Sequence, residues 1–197
     1  MPAFSSRDPN SPAFWDERFE QGFTPWDRGG VPQALRDFIA RRAPMRTLIP
    51  GCGAAYELVA LCEAHWDATA IDFSPAAVAT ARAAAGPWTH KIAQADFFAW
   101  QAAQPLELVY ERAFLCAMPR AMWPAVAARW AALLPSGALL AGFFFFDDAP
   151  KGPPFGIGAD ALDALMARDF LRIEDAPVAD SIPVFAGKER WMVWQRR

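Results

Sequence analysis

Glycine and acidic residues occur at positions where buried strands are expected to end. Gly51 and Gly53 follow the apolar run at 47–49, and the residues after them recur at the spacing of a helix face. Asp72 comes roughly 20 residues after this turn, at the end of the next apolar run. A glycine turn lets a ligand approach backbone amides, and an acid at this distance can accept hydrogen bonds from both ribose hydroxyls. These residues therefore predict a nucleotide-type ligand.

Both features also have structural interpretations. The glycine turn could be a simple chain reversal, and Asp72 or Ser74 could cap the helix that follows. Ser74-Pro75 has the signature of a helix start, a capping hydroxyl followed by proline at the first helical position. We assign the cap to Ser74 and the ribose contact to Asp72.

Asp96 and Phe97 follow the third apolar run. A carboxylate there can accept a hydrogen bond from an adenine amino group while an aromatic ring packs on the base. In the structural alternative, Asp96 forms a turn and Phe97 belongs to the core. The proximity of Asp72 favours the ligand interpretation.

Glu111 and Arg112 end the fourth apolar run and are predicted to face the same crevice, at the carboxyl edge of the sheet. An arginine here can hold a substrate anion or a cofactor carboxylate with a forked pair of hydrogen bonds. Alternatively, Arg112 forms a surface ion pair with Glu111 or Asp27. We favour the site.

Composition narrows the classes of partner. With 54% hydrophobic and 21% charged residues, the 197-residue chain is expected to fold as one domain with a sizeable core. Its net charge of -3 and short basic runs argue against nucleic acid. The apolar run at 139–146 is shorter than the roughly 20 residues of a membrane span and is read as a buried strand.

No secretion signal is recognisable at the N-terminus, so a cytoplasmic location is expected. The 3 cysteines are odd in number and lack metal-ligand spacing, which favours free thiols in a reducing compartment and no metal. His65 and His90 are isolated and are not expected to act as catalytic bases. The partner is expected to be a small-molecule substrate and the protein a monomer.

Short apolar runs alternate with helical patterns from Arg46 onward, which favours a parallel sheet with helices on both faces. Strands are predicted at 46–50, 67–72, 88–93, 106–111 and 137–146, and helices at 54–65, 75–85, 120–134 and 159–168. Only a loop joins the last β-rich stretches, 170–177 and 189–195, so they should pair antiparallel. The prediction is a single α/β domain over residues 1–197, mostly parallel with an antiparallel C-terminal strand.

The N-terminal segment is predicted to cover the ligand site. Residues 1–10 are rich in Pro, Ser and Asn and are expected to form a loose arm. Ser11-Pro12 marks a helix start, and aromatic residues share one face of that helix. Residues 11–30 are interpreted as a lid, and 31–42 as a second helix.

Seven motifs, spread over nearly the whole chain, together resemble one family. They are FWDERFEQGFTPWD, IPGCG, AIDFS, ADFF, VYERAFLCAMP, GPPF and DSIPVFAGKERWMVW. The chain is similar in these motifs to the S-adenosylmethionine-dependent methyltransferases of the thiopurine and thiol/halide type. The resemblance implies a seven-stranded Rossmann-like class I fold, S-adenosylmethionine as cofactor and S-adenosylhomocysteine as product.

The resemblance also implies roles for individual residues. It places an aromatic cover over the cofactor, glycines at its methionine end, and residues of AIDFS and ADFF at its ribose and adenine. The implied contacts are Trp15, Phe19, Trp26, Gly51, Gly53, Asp72, Phe73, Asp96, Phe97 and Arg112. Arg112 matches a position that touches cofactor or substrate, and it is the candidate catalytic residue. Thiopurine-type enzymes share this arginine, whereas plant thiol/halide-type enzymes carry an aromatic residue there. A second departure is GCGAAYE, with alanines where glycine is frequent.

A sulfonium methyl donor is already activated, so the enzyme mainly aligns nucleophile, methyl carbon and sulfur and excludes water. Aromatic faces can favour the sulfonium charge. A thiol, halide or thiopurine-like acceptor requires little base catalysis, which suits a chain without an evident histidine base. Phe114 and Phe155, with the lid aromatics, are predicted to line the acceptor pocket.

Two other functions remain open at this point. A nicotinamide-dependent oxidoreductase also uses a glycine turn and a distal acid, but it predicts a fuller G-x-G-x-x-G motif and a proton donor near the nicotinamide. A non-catalytic nucleotide-binding module would show a broken pocket, whereas Gly51, Asp72 and Asp96 are all present.

Overall fold

The computed structural model describes residues 3–197, which form one sheet flanked by helices. Its strands are β1 (Arg46–Pro50), β2 (Asp67–Asp72), β3 (Ile92–Gln94), β4 (Leu108–Arg112), β5 (Leu139–Phe145), β6 (Phe170–Pro177) and β7 (Glu189–Arg196). Its helices are α1 (Pro12–Glu20), α2 (Gln33–Arg41), α3 (Tyr56–Glu63), α4 (Pro75–Ala84), α5 (Trp123–Leu133) and α6 (Ala159–Met166).

The strands lie in the order β3-β2-β1-β4-β5-β7-β6. Strands β1 to β5 pair in parallel, and β7 inserts antiparallel between β5 and β6. The seven-stranded, mostly parallel sheet with an antiparallel C-terminal strand is therefore confirmed. Since parallel strands share one carboxyl edge, the chain ends of β1, β2 and β4 meet at that edge.

Alternate residues of each strand face opposite layers, which gives the sheet two hydrophobic cores. Leu48, Val109 and Leu140 pack with α5 and α6 on one face. On the other face, Ile49 and Leu108 pack with α2, α3 and α4. Helices on both faces are thus confirmed, and the fully buried β5 explains why its sequence is a continuous apolar run.

The predicted strand at 88–93 is largely wrong. Residues Gly86–Lys91 form a 3₁₀-helix, and the strand extends only from Ile92 to Gln94. Gly86 has a positive φ of 53° and precedes Pro87, which suits the start of a tight turn. The Thr89 hydroxyl donates to the Gly86 carbonyl at 2.6 Å, so local hydrogen bonds compete with strand pairing here.

Two further segments differ from expectation. The helix predicted at 120–134 begins as a 3₁₀-turn, Arg120–Met122, before α5. Residues 3–10, expected to be loose, pack on α1: the Ser5 amide donates to the Glu17 carboxylate at 2.9 Å. Residues 1–2 of that expected arm lie outside the described residues. Within 3–197, no helix combines the length and apolar character needed to cross a bilayer.

Candidate functional site

A cavity of about 570 Å³ opens at the carboxyl edge of the sheet. Its wall is formed by the residues at the carboxyl ends of β1, β2 and β4, by the turn after β3 and by the N-terminal segment. The structure brings together here every residue that the sequence proposes for cofactor contact. They are Trp15, Phe19, Trp26, Gly51, Gly53, Asp72, Phe73, Asp96, Phe97 and Arg112. Its volume lies within the range of roughly 300 to 1,000 Å³ typical of small-molecule sites.

The glycine turn adopts a backbone conformation that other residues rarely reach. Gly51 and Gly53 have φ values of 58° and 51°. A Cβ on Gly51 would lie 2.6 Å from the Phe114 ring, so a side chain there would both strain the turn and displace an aromatic wall. The turn is tied to the next strand, since the Cys52 amide donates to the Ile71 carbonyl at 3.1 Å.

Asp72 is buried at the end of β2, where its carboxylate faces the glycine turn. One oxygen accepts from the Gly53 amide at 3.2 Å, and the other accepts from the Ser74 amide at 3.0 Å. Burial raises the pKa of Asp72 to about 6, and these two amides oppose the shift. The side chain is 7% exposed and lines the cavity, which makes it available to a ligand hydroxyl.

Ser74 caps α4, as predicted: its Oγ accepts from the Ala77 amide at 3.1 Å. The same hydroxyl donates to the Asp16 carboxylate of α1 at 2.6 Å, and the Ala76 amide donates to Asp16 at 3.0 Å. Asp16 therefore anchors the N-terminal helix to the start of α4, two residues from Asp72. Sequence reasoning missed Asp16 because this contact joins residues 58 positions apart.

Asp96 and Asp72 line the same cavity, as the sequence required. Asp96 also shapes its own turn, since one carboxylate oxygen accepts from the Phe98 amide at 2.9 Å. Phe97 is 4% exposed and packs edge-on against Phe114, with ring centroids 4.9 Å apart. The turn and core alternatives thus describe these residues correctly, and both residues still contribute to the cavity wall.

The N-terminal segment supplies an aromatic wall. Trp26 meets Trp15 edge-on at 5.4 Å and Phe19 at 6.0 Å between ring centroids. The Trp15 indole donates to the Pro9 carbonyl at 2.8 Å, which fixes the ring. Residues of 11–30 therefore cover one side of the cavity.

Arg112 lies at the end of β4 and is paired with a residue that the sequence did not suggest. Its Nη1 donates to Glu189 at 2.6 Å, and the two side chains are 11% and 3% exposed. Its Nη2 is buried without a hydrogen-bond partner among the described residues. The guanidinium carbon lies 4.5 Å from the centroid of the Phe143 ring. The alternative, an ion pair with Glu111 or Asp27, does not form: the partner is Glu189, and Arg112 lines the cavity as the site interpretation required.

Glu111 does not line the cavity, contrary to expectation. It is 1% exposed, and its carboxylate accepts from the Phe114 and Leu115 amides at 2.8 and 3.0 Å. Alternation along β4 explains this, because neighbouring residues of a strand point to opposite faces. Glu111 instead holds the turn that carries Phe114. Burial raises the pKa of Glu111 to about 7, against those two amides.

Of the two aromatic residues predicted to line the acceptor pocket, only one lines the cavity. Phe114 lines the cavity, together with Cys116 and Met118. Phe155 is not among the residues described as lining it; its ring lies 5.6 Å from the Arg120 guanidinium carbon instead.

Comparison with known proteins agrees with this arrangement. Residues 10–197 match the family Thiopurine S-methyltransferase (TPMT). The chain is 29% identical over 164 residues to probable thiol methyltransferase 2 of Arabidopsis thaliana, covering 80% of this chain and 73% of that protein. It is 27% identical over 192 residues to thiocyanate methyltransferase 1 of the same plant, covering 92% and 84%.

A solved structure shares the fold. The 1,6-didemethyltoxoflavin-N1-methyltransferase of Burkholderia thailandensis, with S-adenosylhomocysteine bound, superposes with a TM-score of 0.74 at 16% identity, over 100% of this chain and 93% of that one. This likeness supports the class I methyltransferase architecture. The family match extends from residue 10 to the last residue and includes each strand end that lines the cavity. The chain therefore belongs to the thiopurine S-methyltransferase family and is an S-adenosylmethionine-dependent methyltransferase.

Proposed function

We propose that the protein transfers the methyl group of S-adenosylmethionine to a small, soft nucleophile such as a thiol, a halide-like anion or a thiopurine-like heterocycle. The observation that carries this proposal is the shared cavity of Asp72, Asp96, the glycine turn and Arg112. When bound, the cofactor supplies a methyl group that its sulfonium has already activated. The chain's own residues bind the cofactor and the acceptor, align the two for transfer and exclude water from the site.

The cofactor side of the cavity follows the strand order. Asp96 after β3 is assigned to adenine, Asp72 at the end of β2 to the ribose, and the Gly51–Gly53 turn after β1 to the methionine end. Phe73 and Phe97 add apolar surface beside the base. Burial raises the pKa of Asp72 because the carboxylate has lost its hydration. Hydroxyl groups of a bound ribose would replace that water as hydrogen-bond donors.

The acceptor side is assigned to the region around β4. Arg112 lies beyond β1 in the sheet, on the side opposite β2 and β3. Arg112 lines the cavity, and its Nη2 lacks a hydrogen-bond partner among the described residues, which suits a guanidinium that takes an anionic acceptor. Phe114, Met118 and Cys116 line the same cavity and provide apolar, polarisable surface. We assign Arg112 to the acceptor and name it as the catalytic residue.

A soft acceptor also agrees with what the cavity provides for proton transfer. No histidine is among the described residues that line it. A thiolate, halide or thiocyanate is already a nucleophile and needs alignment more than a base.

Residues 11–30 are proposed to act as a lid. Trp15, Phe19 and Trp26 already form one wall, and Asp16 fastens α1 to α4. Closing the site would expel water and bring aromatic faces to the sulfonium, an attraction of about 1 to 2 kcal/mol when desolvated.

We further propose that the reaction takes place in the cytoplasm and that the protein acts as a monomer. Supporting the reducing compartment, Cys52, Cys62 and Cys116 are free and buried.

A product assay tests the function. The purified protein is incubated with methyl-labelled S-adenosylmethionine and, separately, with iodide, thiocyanate, sulfide, thiophenol, a thiopurine, an aliphatic alcohol and an aliphatic amine. Labelled product is expected with at least one sulfur or halide acceptor and not with the alcohol or amine. Turnover confined to the oxygen or nitrogen nucleophile would contradict the proposal.

A further inference from the structure

Glu57 is a buried carboxylate at the cavity that the proposed function does not yet use. It is the second residue of α3, directly after the glycine turn, and it lines the same cavity as Asp72 and Arg112. The residue is only 8% exposed. None of the ion pairs described within residues 3–197 includes it.

The surroundings of Glu57 leave its negative charge poorly compensated. Burial raises the pKa of Glu57, and its own backbone amide and the charges of Arg112 and Arg28 only partly oppose this shift. Asp27 adds a like charge nearby. A buried carboxylate in such a position requires a cation or further hydrogen-bond donors to compensate its charge.

The charge of the cavity as a whole also suits a cationic ligand. Among the described residues that line it, the acidic ones are Asp27, Glu57, Asp72 and Asp96, and the basic ones are Arg7, Arg18 and Arg112. S-adenosylmethionine carries a sulfonium and an ammonium against a single carboxylate. Asp72 and Asp96 are already assigned to the ribose and adenine, which are neutral. Of the two acids that remain, Glu57 follows the glycine turn directly in the chain, at the start of α3.

We propose that the Glu57 carboxylate binds the ammonium group at the amino-acid end of the cofactor and so positions the adjoining sulfur for transfer. The inference rests on the proposed function, in which the Gly51–Gly53 turn contacts that end of the cofactor. Glu57 follows this turn at the start of α3, so the amides of the turn and the carboxylate act on one end of the ligand.

A purely structural role for Glu57 makes a different prediction. An acid in the first turn of a helix interacts favourably with the helix dipole, and α3 has no side-chain cap at Ala55. That role concerns the stability of α3 and does not depend on whether the ligand has an amino group.

Calorimetric titration with two ligands separates these roles. The ligands are S-adenosylhomocysteine and its deamino analogue, which keeps the adenosyl, thioether and carboxylate groups but has hydrogen in place of the amino group. The proteins are wild type, Glu57→Gln, and the control Glu63→Gln, which makes the same charge change at the exposed end of α3.

Wild type is expected to bind S-adenosylhomocysteine roughly tenfold to a hundredfold more tightly than the analogue, the range for a hydrogen bond between charged groups. Glu57→Gln should lose most of this preference by weakening S-adenosylhomocysteine alone. Glu63→Gln should keep it. Equal affinity of wild type for the two ligands would overturn the inference without any variant, even if Glu57→Gln failed to fold.

Equal weakening of both ligands by Glu57→Gln would also overturn it, in favour of the structural role. The proposed function fails separately: if wild type binds neither ligand, the adenosyl site itself is wrong. Binding of S-adenosylhomocysteine with no preference over the analogue leaves the function intact and removes only the role of Glu57.

Discussion

At the scale of single residues, burial gives two carboxylates different tasks. Asp72 is buried at the edge of the cavity, where its two oxygens accept from the Gly53 and Ser74 amides. Glu111 is buried, does not line the cavity and holds the turn that carries Phe114. Burial raises the pKa of both side chains, to about 6 and about 7. One carboxylate is thus placed for a ligand and the other for the architecture around it.

Gly51 gives the sharpest single-residue prediction. Gly51→Ala should abolish S-adenosylhomocysteine binding, because a Cβ would lie 2.6 Å from the Phe114 ring. The left-handed conformation adds a cost of about 1 to 2 kcal/mol to the folding free energy. Gly137→Ala is the matched control: Gly137 also has a positive φ, of 87°, but nothing lies within 4 Å of its Cβ position. Calorimetry should find normal affinity in the control, and retained binding in Gly51→Ala would contradict the close approach.

Glu111 predicts a pH-dependent stability difference. Since its folded pKa is raised to about 7, the folded state keeps a proton that the unfolded chain loses near its ordinary value of 4.5. Glu111 therefore favours folding most at low pH, and this contribution is lost as the pH rises towards 7. Glu111→Gln keeps an acceptor for the Phe114 and Leu115 amides without a buried charge.

Urea unfolding of Glu111→Gln and wild type at pH 5, 6, 7 and 8 measures the effect. The variant should gain relative to wild type by up to about 1.4 kcal/mol per pH unit between pH 5 and 7, and the difference should level off above that. A stability difference that does not vary with pH would show that Glu111 titrates normally.

At the scale of elements, the ion pair of Arg112 and Glu189 joins β4 to the start of β7. In the sheet, β5 lies between these two strands, so the ion pair reaches across the end of β5. Glu189→Ala should lower the free energy of unfolding by about 3 to 5 kcal/mol, because it leaves a buried guanidinium uncompensated. Asp163→Ala, which breaks an exposed pair with Arg172, should cost about 1 kcal/mol or less. Denaturant unfolding measures the free energy of unfolding of both variants. Similar decreases in the two would show that the buried ion pair stabilises the fold no more than the exposed one.

The contact between α1 and α4 couples the N-terminal segment to the residue assigned to the ribose. Asp16 accepts from the Ser74 hydroxyl and the Ala76 amide, and the Ser74 backbone amide donates to Asp72. Asp16→Ala should destabilise the packing of α1 on α4 by about 1 to 2 kcal/mol, as for a lost helix cap. Hydrogen exchange in α1 should become faster and methyl transfer slower, while exchange in the central strands stays unchanged.

Glu20→Ala, an exposed position on the same helix, is the control for that effect and should leave both rates as in wild type. Normal turnover in Asp16→Ala would argue against residues 11–30 as a lid.

At the scale of the whole molecule, the parallel sheet and its carboxyl edge were predictable from the sequence. Apolar runs of strand length alternate with helical patterns, and a parallel sheet then requires Gly51, Asp72 and Asp96 to meet at one edge. The fifth strand was evident because a strand buried on both faces is apolar throughout. Local pattern was enough for these features.

Contacts between distant parts of the chain were not predictable in the same way. Glu189 and Arg112 are 77 residues apart, and their pairing depends on β7 running antiparallel beside β5. Glu57 is hidden in an ordinary helical pattern, so only the cavity shows where its carboxylate lies. The strand predicted at 88–93 failed for the opposite reason, because local hydrogen bonds at Gly86 overrode an apolar pattern.

The central claim is that the carboxyl ends of the first three strands hold one S-adenosylmethionine molecule. Its most direct test is calorimetric titration of S-adenosylhomocysteine into wild type, Asp72→Ala and the control Asp67→Ala, an exposed acid at the opposite end of β2. We predict at least a tenfold loss of affinity for Asp72→Ala, as expected for a lost hydrogen bond to a charged group, and none for Asp67→Ala. Unchanged affinity in a folded Asp72→Ala protein would contradict the claim.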